Sequence, residues 1–169
     1  KWYSIVIDSD EFAKTIEILK TCTKAAIDLK MGAILEDGIV DQMPTWFKVK
    51  SGDHKILIQS TLAGIKTIEL ICKNFGVKST LLGEEEKLVN GISELVWNHT
   101  TLHMRARDKN WTYLQMLLPL NNELELINLL RKKWSKKILW HIEAVSQQGV
   151  PRLAALPVFK WNGSNELNE

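Results

Sequence analysis

A dense basic run occupies residues 131–137. Five of its seven residues are cationic, in the order Arg131-Lys132-Lys133-Trp134-Ser135-Lys136-Lys137. If the run is helical, residues three and four positions apart share a face, so Lys133, Lys136, Lys137 and Trp140 form one stripe. Like charges on one face repel each other unless solvent or an anionic partner screens them. The run therefore predicts either a solvated helix face or a surface that binds an anion.

A second group of cations and aromatic rings lies between residues 100 and 118. We predict a β-hairpin here, with strands at 100–107 and 111–118 around a three-residue loop. In this register Arg105 lies opposite Tyr113 and Arg107 lies opposite Trp111, while the apolar residues share the other face. Cations beside aromatic rings can bind single-stranded nucleic acid by pairing with phosphates and stacking on bases. The simpler interpretation is cation–π pairing across a solvated sheet face.

Charge is distributed unevenly along the 169 residues. Residues 1–98 hold 12 basic and 14 acidic side chains, whereas residues 99–161 hold 10 basic and 4 acidic ones. A basic segment of this kind is typical of proteins that bind nucleic acid. The residues predicted to make the contacts are Arg105, Arg107, Lys109, Trp111, Tyr113, Lys132, Lys133, Lys136 and Lys137.

Catalytic and metal-binding motifs are not recognisable in the sequence. The four histidines fall at no paired metal spacing, neither cysteine has a nearby partner, and no glycine-rich phosphate loop occurs. We therefore expect no metal and no cofactor, and we assign no catalytic residue. His103 is the best acid–base candidate by its place on the polar face of the hairpin, although an ordinary surface histidine is the simpler interpretation.

An acidic cluster, Asp8, Asp10 and Glu11, follows the first apolar run. Carboxylates at this spacing could hold Mg²⁺ or Ca²⁺. Capping of a helix that begins here explains them more simply, because helix N-termini favour acidic residues.

The elements that would position these residues follow from hydrophobic periodicity. In the first half we predict strands at 2–7, 46–50, 55–59 and 77–82 and helices at about 10–32 and 61–75. The order β-α-β-β-α-β predicts a ferredoxin-like arrangement, with two helices on one face of an antiparallel sheet. A Gly52-Asp53 turn would pair Val49 with Ile56 and Phe47 with Ile58.

The second half continues the α+β pattern. A weaker helix is predicted at 84–97, followed by the hairpin and by a long C-terminal helix from Glu123 to about Gln148, which Gly149 and Pro151 would end. We expect one compact domain over residues 1–161 and a polar, frayed tail at 162–169.

Composition is that of a globular protein, with 45% hydrophobic and 25% charged residues and a net charge of +2. No stretch approaches the roughly 18 consecutive apolar residues of a membrane span, so we expect no membrane partner. Cys22 and Cys72 are expected to be buried free thiols, although a disulfide between them stays open. These features favour an intracellular, cytoplasmic location, against which stand three Asn-X-Ser/Thr sequons. The chain begins with Lys1, and we expect it to be part of a longer protein.

Three functions are compatible with these observations. The first is an accessory domain that binds single-stranded RNA or DNA through the basic C-terminal third. The second is a non-catalytic assembly subunit or homo-oligomer, in which seven Trp residues and the segment 150–159 mark a contact with a protein partner. The third is an enzyme without a motif that the sequence makes readable. We expect a binding role more than a catalytic one.

Overall fold

The computed structural model describes residues 1–25, 27–44, 52–83, 92, 100–161 and 163. Eight strands lie in this part of the chain: β1 (Tyr3–Ser9), β2 (Leu29–Leu35), β3 (His54–Ser60), β4 (Lys78–Leu81), β5 (Trp111–Tyr113), β6 (Met116–Leu117), β7 (Ile138–Gln147) and β8 (Val150–Lys160). The same ranges contain five α-helices: α1 (Phe12–Lys24), α2 (Asp37–Val40), α3 (Leu62–Phe75), α4 (Thr100–Arg107) and α5 (Glu123–Trp134).

All eight strands form one antiparallel sheet in the order β4-β1-β3-β2-β7-β8-β5, with β6 also pairing with β8. The α+β class predicted from the sequence is confirmed. Within the first half, the strand order β4-β1-β3-β2 and the crossover helices α1 and α3 are those of a split β-α-β arrangement. None of the helices described here is long and apolar enough to cross a membrane.

The sheet has an apolar core on each side, because alternate side chains of a strand point to opposite faces. On the first side, which we call the helical face, Ile7, Ile56 and Ile142 pack against α1, α3 and α5. On the other side, which we call the second face, Leu35 and Leu57 belong to a separate core with residues of α2 and α4. The middle strands are therefore covered on both faces.

The first predicted helix is shorter than its periodicity suggested. Its apolar face is confirmed, since Phe12, Ile16, Leu19 and Cys22 are buried on α1, but the helix ends at Lys24 and not near Gly32. The following residues form strand β2, whose side chains from Met31 to Leu35 are all buried. A run that is buried on both sides is typical of a central strand, and its burial there accounts for the early end of the helix.

The pairing predicted for the first hairpin is wrong. The strand at 46–50 lies outside the described residues, and Ile56 pairs with Ile34 of β2 and with Ile7 of β1. Both edges of β3 are therefore occupied by β1 and β2. The predicted helix ends of α3 are confirmed: the Thr61 hydroxyl accepts a hydrogen bond from the Gly64 amide, and Gly76 adopts the left-handed conformation.

The prediction of a second hairpin, with strands at 100–107 and 111–118, is also wrong. Residues Thr100–Arg107 form helix α4, and β5 and β6 pair with β8 instead of with this segment. The buried residues of α4 are Thr100, Thr101 and Met104, a spacing that a helix can bury on one side. The weaker helix predicted at 84–97 lies outside the described residues, except for Ile92, and so does most of the predicted tail.

The C-terminus is made of strands and not of one long helix. Helix α5 ends at Trp134, where Ser135 takes a positive φ of 53° and begins a 3-10 turn, Ser135–Lys137. The next residues form the hairpin of β7 and β8, turning at Gln148 and Gly149, which both have positive φ as a type I′ turn requires. The predicted contact segment 150–159 is β8, which is buried from Leu153 to Val158 and exposed at Val150 and Pro151.

Replacing Ile16 or Ile68 by Ala should lower the free energy of unfolding by about 2–5 kcal/mol, because both side chains are fully buried between α1, α3 and the sheet. Leu70→Ala is the matched control, since Leu70 lies on α3 but is 63% exposed and should change stability by less than about 0.5 kcal/mol. Urea unfolding measures all three. Equal losses for Ile68→Ala and Leu70→Ala would contradict this core.

Candidate functional site

The predicted cations and aromatic rings do not form one surface. Arg105 is exposed on α4, and Arg107 donates hydrogen bonds to the carbonyl oxygens of Met43, at 2.9 Å, and Asp41, at 3.2 Å. Lys109 is exposed in the loop that follows α4. Helix α4 packs on the second face and α5 on the helical face, so the arginines and the lysine run lie on opposite sides of the sheet.

Trp111 and Tyr113 lie on β5, at one edge of the sheet. Directly opposite Trp111 in the ladder is Lys160, whose Nζ lies 5.2 Å from the centre of the Trp111 ring. The same Nζ lies 2.8 Å from Asp108 Oδ2, and this hydrogen bond holds the pKa of the Asp108 carboxyl below its usual value. The cation–π partner of Trp111 is therefore Lys160 and not the predicted Arg107.

The basic run is divided by the end of α5. Arg131 turns inward: its Nη2 binds Glu36 Oε1, and its guanidinium lies 4.1 Å from the centre of the Phe12 ring. Burial raises the pKa of the Glu36 carboxyl even though Arg131 lowers it. Lys132, Lys133 and Lys137 are exposed, the side chain of Lys136 lies outside the described part, and Trp140 is fully buried in β7. The predicted stripe of three lysines and Trp140 is therefore wrong.

Buried polar residues instead occur on the second face, where the strand register places them in rows. One row runs across β1, β3, β2 and β7 as Asp8, Lys55, Leu35 and His141. In the next row Glu143 of β7 lies beside Ala33 of β2. Because strands lie about 4.8 Å apart, Lys55 and His141 are separated by about 9.5 Å across the sheet.

Lys55 and Asp8 form the first charged pair of this face. The Lys55 side chain is fully buried, and its Nζ lies 2.7 Å from Asp8 Oδ1, whose side chain is 23% exposed. Four residues farther along the same two strands, the Gln59 amide donates to the Ser4 hydroxyl at 3.0 Å. A buried ammonium is stable only when such a partner compensates its charge. Asp8 therefore supplies the compensating charge for Lys55 on the second face.

His141 and Glu143 form the second pair. They lie two positions apart on β7, so both point to the second face, and His141 Nε2 lies 3.1 Å from Glu143 Oε1. Neither atom makes a hydrogen bond of good geometry with the described residues, although both are buried. Five buried side-chain atoms of this part of the chain share that property, and these two are neighbours. An imidazole beside a carboxylate is a side-chain pair that enzymes use for general acid–base chemistry.

Other titratable candidates are explained by local structure. Lys14 Nζ lies 2.9 Å from Glu11 Oε1 and 4.0 Å from Asp10 Oδ1, and Asp8 is paired with Lys55. Among the residues that the structure describes, no group of three His, Cys, Asp or Glu side chains could hold a metal ion. The acidic cluster is thus neutralised by lysines.

The two cysteines are free and buried, as predicted. Burial raises the pKa of the Cys22 thiol to about 12 and that of the Cys72 thiol to about 11. Both sulfurs are therefore protonated at neutral pH and are poor nucleophiles.

The sequence did not indicate the two charged pairs of the second face, Lys55–Asp8 and His141–Glu143, which we call the second-face site. His141 and Glu143 fell inside the predicted long helix, where residues two positions apart do not share a face. The signal that could have found them is the alternation of Trp140 and Ile142 with His141 and Glu143, which is typical of a β-strand and not of a helix. His103, the earlier acid–base candidate, lies half-buried on α4.

Comparison with known proteins identifies a fold but no family. No protein-family model matches the sequence, and no curated protein matches it. A structure of alkyldihydroxyacetonephosphate synthase in P212121 is similar at a TM-score of 0.67 and 10% identity, over 99% of this chain and 37% of that one. The same enzyme in P1 gives a TM-score of 0.63 and 11% identity, over 95% of this chain and 37% of that one. The chain thus spans little more than a third of those proteins.

Replacing Asp8 by Asn should lower the free energy of unfolding by about 3 kcal/mol, because it leaves the buried Lys55 ammonium without a compensating charge. Lys55→Met should cost less, since the remaining Asp8 carboxylate is partly exposed. In the double variant the two losses should not add, because no buried charge remains. Urea unfolding of the three variants tests this, and additive losses would contradict the coupling.

Proposed function

We propose that this chain is the substrate-binding domain of a larger enzyme and that its second sheet face contacts an organic anion. The observation that carries the proposal is the buried His141–Glu143 pair, whose facing atoms lie 3.1 Å apart without a well-formed hydrogen bond among the described residues. Leaving a buried polar atom without a partner costs about 1–3 kcal/mol. Such groups require an explanation, and a ligand atom or a catalytic role supplies one.

The resemblance in fold supports a role within a larger enzyme. This chain aligns over nearly its whole length with a part of alkyldihydroxyacetonephosphate synthase that makes up 37% of that protein. The name of that enzyme describes the synthesis of a compound that combines an alkyl group with dihydroxyacetone phosphate. A phosphorylated organic anion is accordingly the first substrate class to test here.

The chemistry of the two charged pairs fits such a substrate. Lys55 would act on a phosphate or carboxylate group only through its electric field, because its side chain is fully buried and its Nζ is paired with Asp8. His141 would give or take a proton at a second group of the same molecule, with Glu143 orienting the imidazole. Lys55 and His141 lie about 9.5 Å apart, two strand spacings, with Leu35 between them in the same row.

Nucleic-acid binding is the second candidate and stays a prediction. It is favoured by the exposed lysines Lys132, Lys133 and Lys137 around the end of α5, with Trp134 in the same turn. Arg107 is engaged with backbone carbonyls and Trp111 with Lys160, so these two residues contribute less than the sequence suggested. Binding by this candidate would depend on phosphate contacts alone.

Dihydroxyacetone phosphate is the probe for the first candidate. Its addition should shift the imidazole signals of His141 in histidine NMR spectra, and His141→Gln should weaken binding about tenfold or more by removing the group that meets the ligand. His103→Gln is the matched control and should leave affinity unchanged. Equal affinity of the wild type and His141→Gln, or shifts confined to other histidines, would contradict the second-face site.

An oligonucleotide of deoxythymidine tests the second candidate. Because each neutralised phosphate contributes about 0.7 to the salt slope of single-strand binding, Lys133→Gln with Lys136→Gln should flatten the slope by about one to two units. The control is Lys66→Gln with Lys73→Gln, two exposed lysines of α3. A slope that the first pair of substitutions leaves unchanged would show that the lysines of the 131–137 run are only solvated.

A further inference from the structure

A cavity of about 320 Å³ lies on the helical face, where α5, the start of β7 and the end of β8 meet the loop between β5 and β6. Small-molecule sites in proteins have volumes of about 300–1,000 Å³. The cavity is lined by Leu114, Met116, Leu130, Lys133, Trp134, Lys137, Ile138, Pro157, Phe159, Lys160 and Trp161. It lies across the sheet from His141 and is separate from the second-face site.

The lining is mainly apolar and comes from several elements. Ile138 of β7 and Phe159 of β8 are directly opposed in the ladder and are only half-buried. Leu114 is 50% exposed and Trp161 is 45% exposed. Covering apolar surface is favourable by about 25 cal/mol per Å², so an apolar ligand would be stabilised here.

Two ammonium groups accompany this apolar lining. Lys133 lies on the last turn of α5, and its Nζ is 5.0 Å from the centre of the Trp134 ring. Lys137 is the residue directly before β7. The third lysine, Lys160, has its Nζ bound to Asp108 over the ring of Trp111. Among the described residues that line the cavity there is no carboxylate. The charge of the site therefore complements an anion.

We propose that this cavity binds an amphiphilic organic anion, in which an alkyl chain fills the apolar lining and a phosphate or carboxylate group meets Lys133 and Lys137. Lysine side chains suit this arrangement, because their aliphatic stems lie along apolar surface while the ammonium groups stay in water. A nucleobase fits less well, since side chains of the lining other than the lysines offer almost no hydrogen-bond partners for its polar edges. The site is independent of the function proposed for the second face.

Dodecyl phosphate, used below its micelle concentration, is the probe. Calorimetry should show one molecule bound per chain, with fluorescence changes from Trp134 and Trp161 at the cavity. Dodecyl maltoside has the same alkyl chain without charge, and glycerol 3-phosphate has the charge without the chain. Both should bind at least about tenfold more weakly, because each lacks one of the two contacts.

Variants locate the binding. Lys133→Gln with Lys137→Gln should weaken dodecyl phosphate about tenfold or more, and Leu114→Asp should do the same by placing a carboxylate at the exposed side of the cavity. Lys66→Gln with Lys73→Gln is the control that removes the same charge from α3. Unchanged affinity in both cavity variants would overturn the proposal, as would equal binding of dodecyl phosphate and dodecyl maltoside.

Two further probes distinguish the source of the anion. Vesicles of phosphatidylserine and phosphatidylcholine in equal parts present the same chemistry as a membrane surface. Binding to vesicles without binding of monomeric dodecyl phosphate would overturn the cavity in favour of a lipid surface. Binding of a deoxythymidine oligonucleotide, lost in the double lysine variant and unaccompanied by dodecyl phosphate binding, would overturn it in favour of nucleic acid.

Discussion

The pairing of β2 with β7 is the contact on which the rest of this structure depends. It joins the four strands of the first half to the C-terminal hairpin and makes one eight-stranded sheet. The ladder aligns Ala33, Ile34 and Leu35 with Glu143, Ile142 and His141. Since a shift of one residue would turn every side chain of β7 to the other face, this register alone decides that Trp140 packs under the helices and that His141 and Glu143 reach the second face.

A sheet that is covered on both sides has strong consequences for its polar residues. Lys55 and His141 cannot reach water from the middle of the second face, so each depends on a neighbour that the register supplies. Lys55 has Asp8 on the adjacent strand, whereas His141 has only Glu143 on its own strand, without a well-formed hydrogen bond. The first pair is a satisfied structural element, and the second is the one at which we propose that a ligand binds. The cavity on the helical face has another origin. It lies beyond the end of α5 at Trp134, where Phe159 and Trp161 are only partly covered.

Local periodicity predicted the helices of the first half well, because Ile16 and Leu19 on α1 and Ile65 and Ile68 on α3 repeat at helical spacing. Local periodicity failed where one pattern continued past the end of its element or where a strand-like pattern lay on a helix. The helical spacing continues across the end of α1 through Cys22, Ala26 and Leu29, so the pattern predicts a helix where the structure has β2. In the second half, the apolar residues of α4 alternate as in a strand, at Leu102, Met104 and Ala106. The 131–137 run was predicted to lie within one long helix, whereas β7 begins directly after it, at Ile138. The secondary structure of these segments is decided by pairing with strands that are distant in the sequence, and local periodicity does not show that pairing.

We propose that a ligand completes the hydrogen bonding of His141. A crystal structure of the chain soaked with dihydroxyacetone phosphate tests it most directly, since it shows which atom lies next to His141 Nε2. We expect a ligand oxygen within hydrogen-bond distance of Nε2. A His141 Nε2 that is hydrogen-bonded to a side chain of the protein itself, with the ligand absent from the second face, would contradict it.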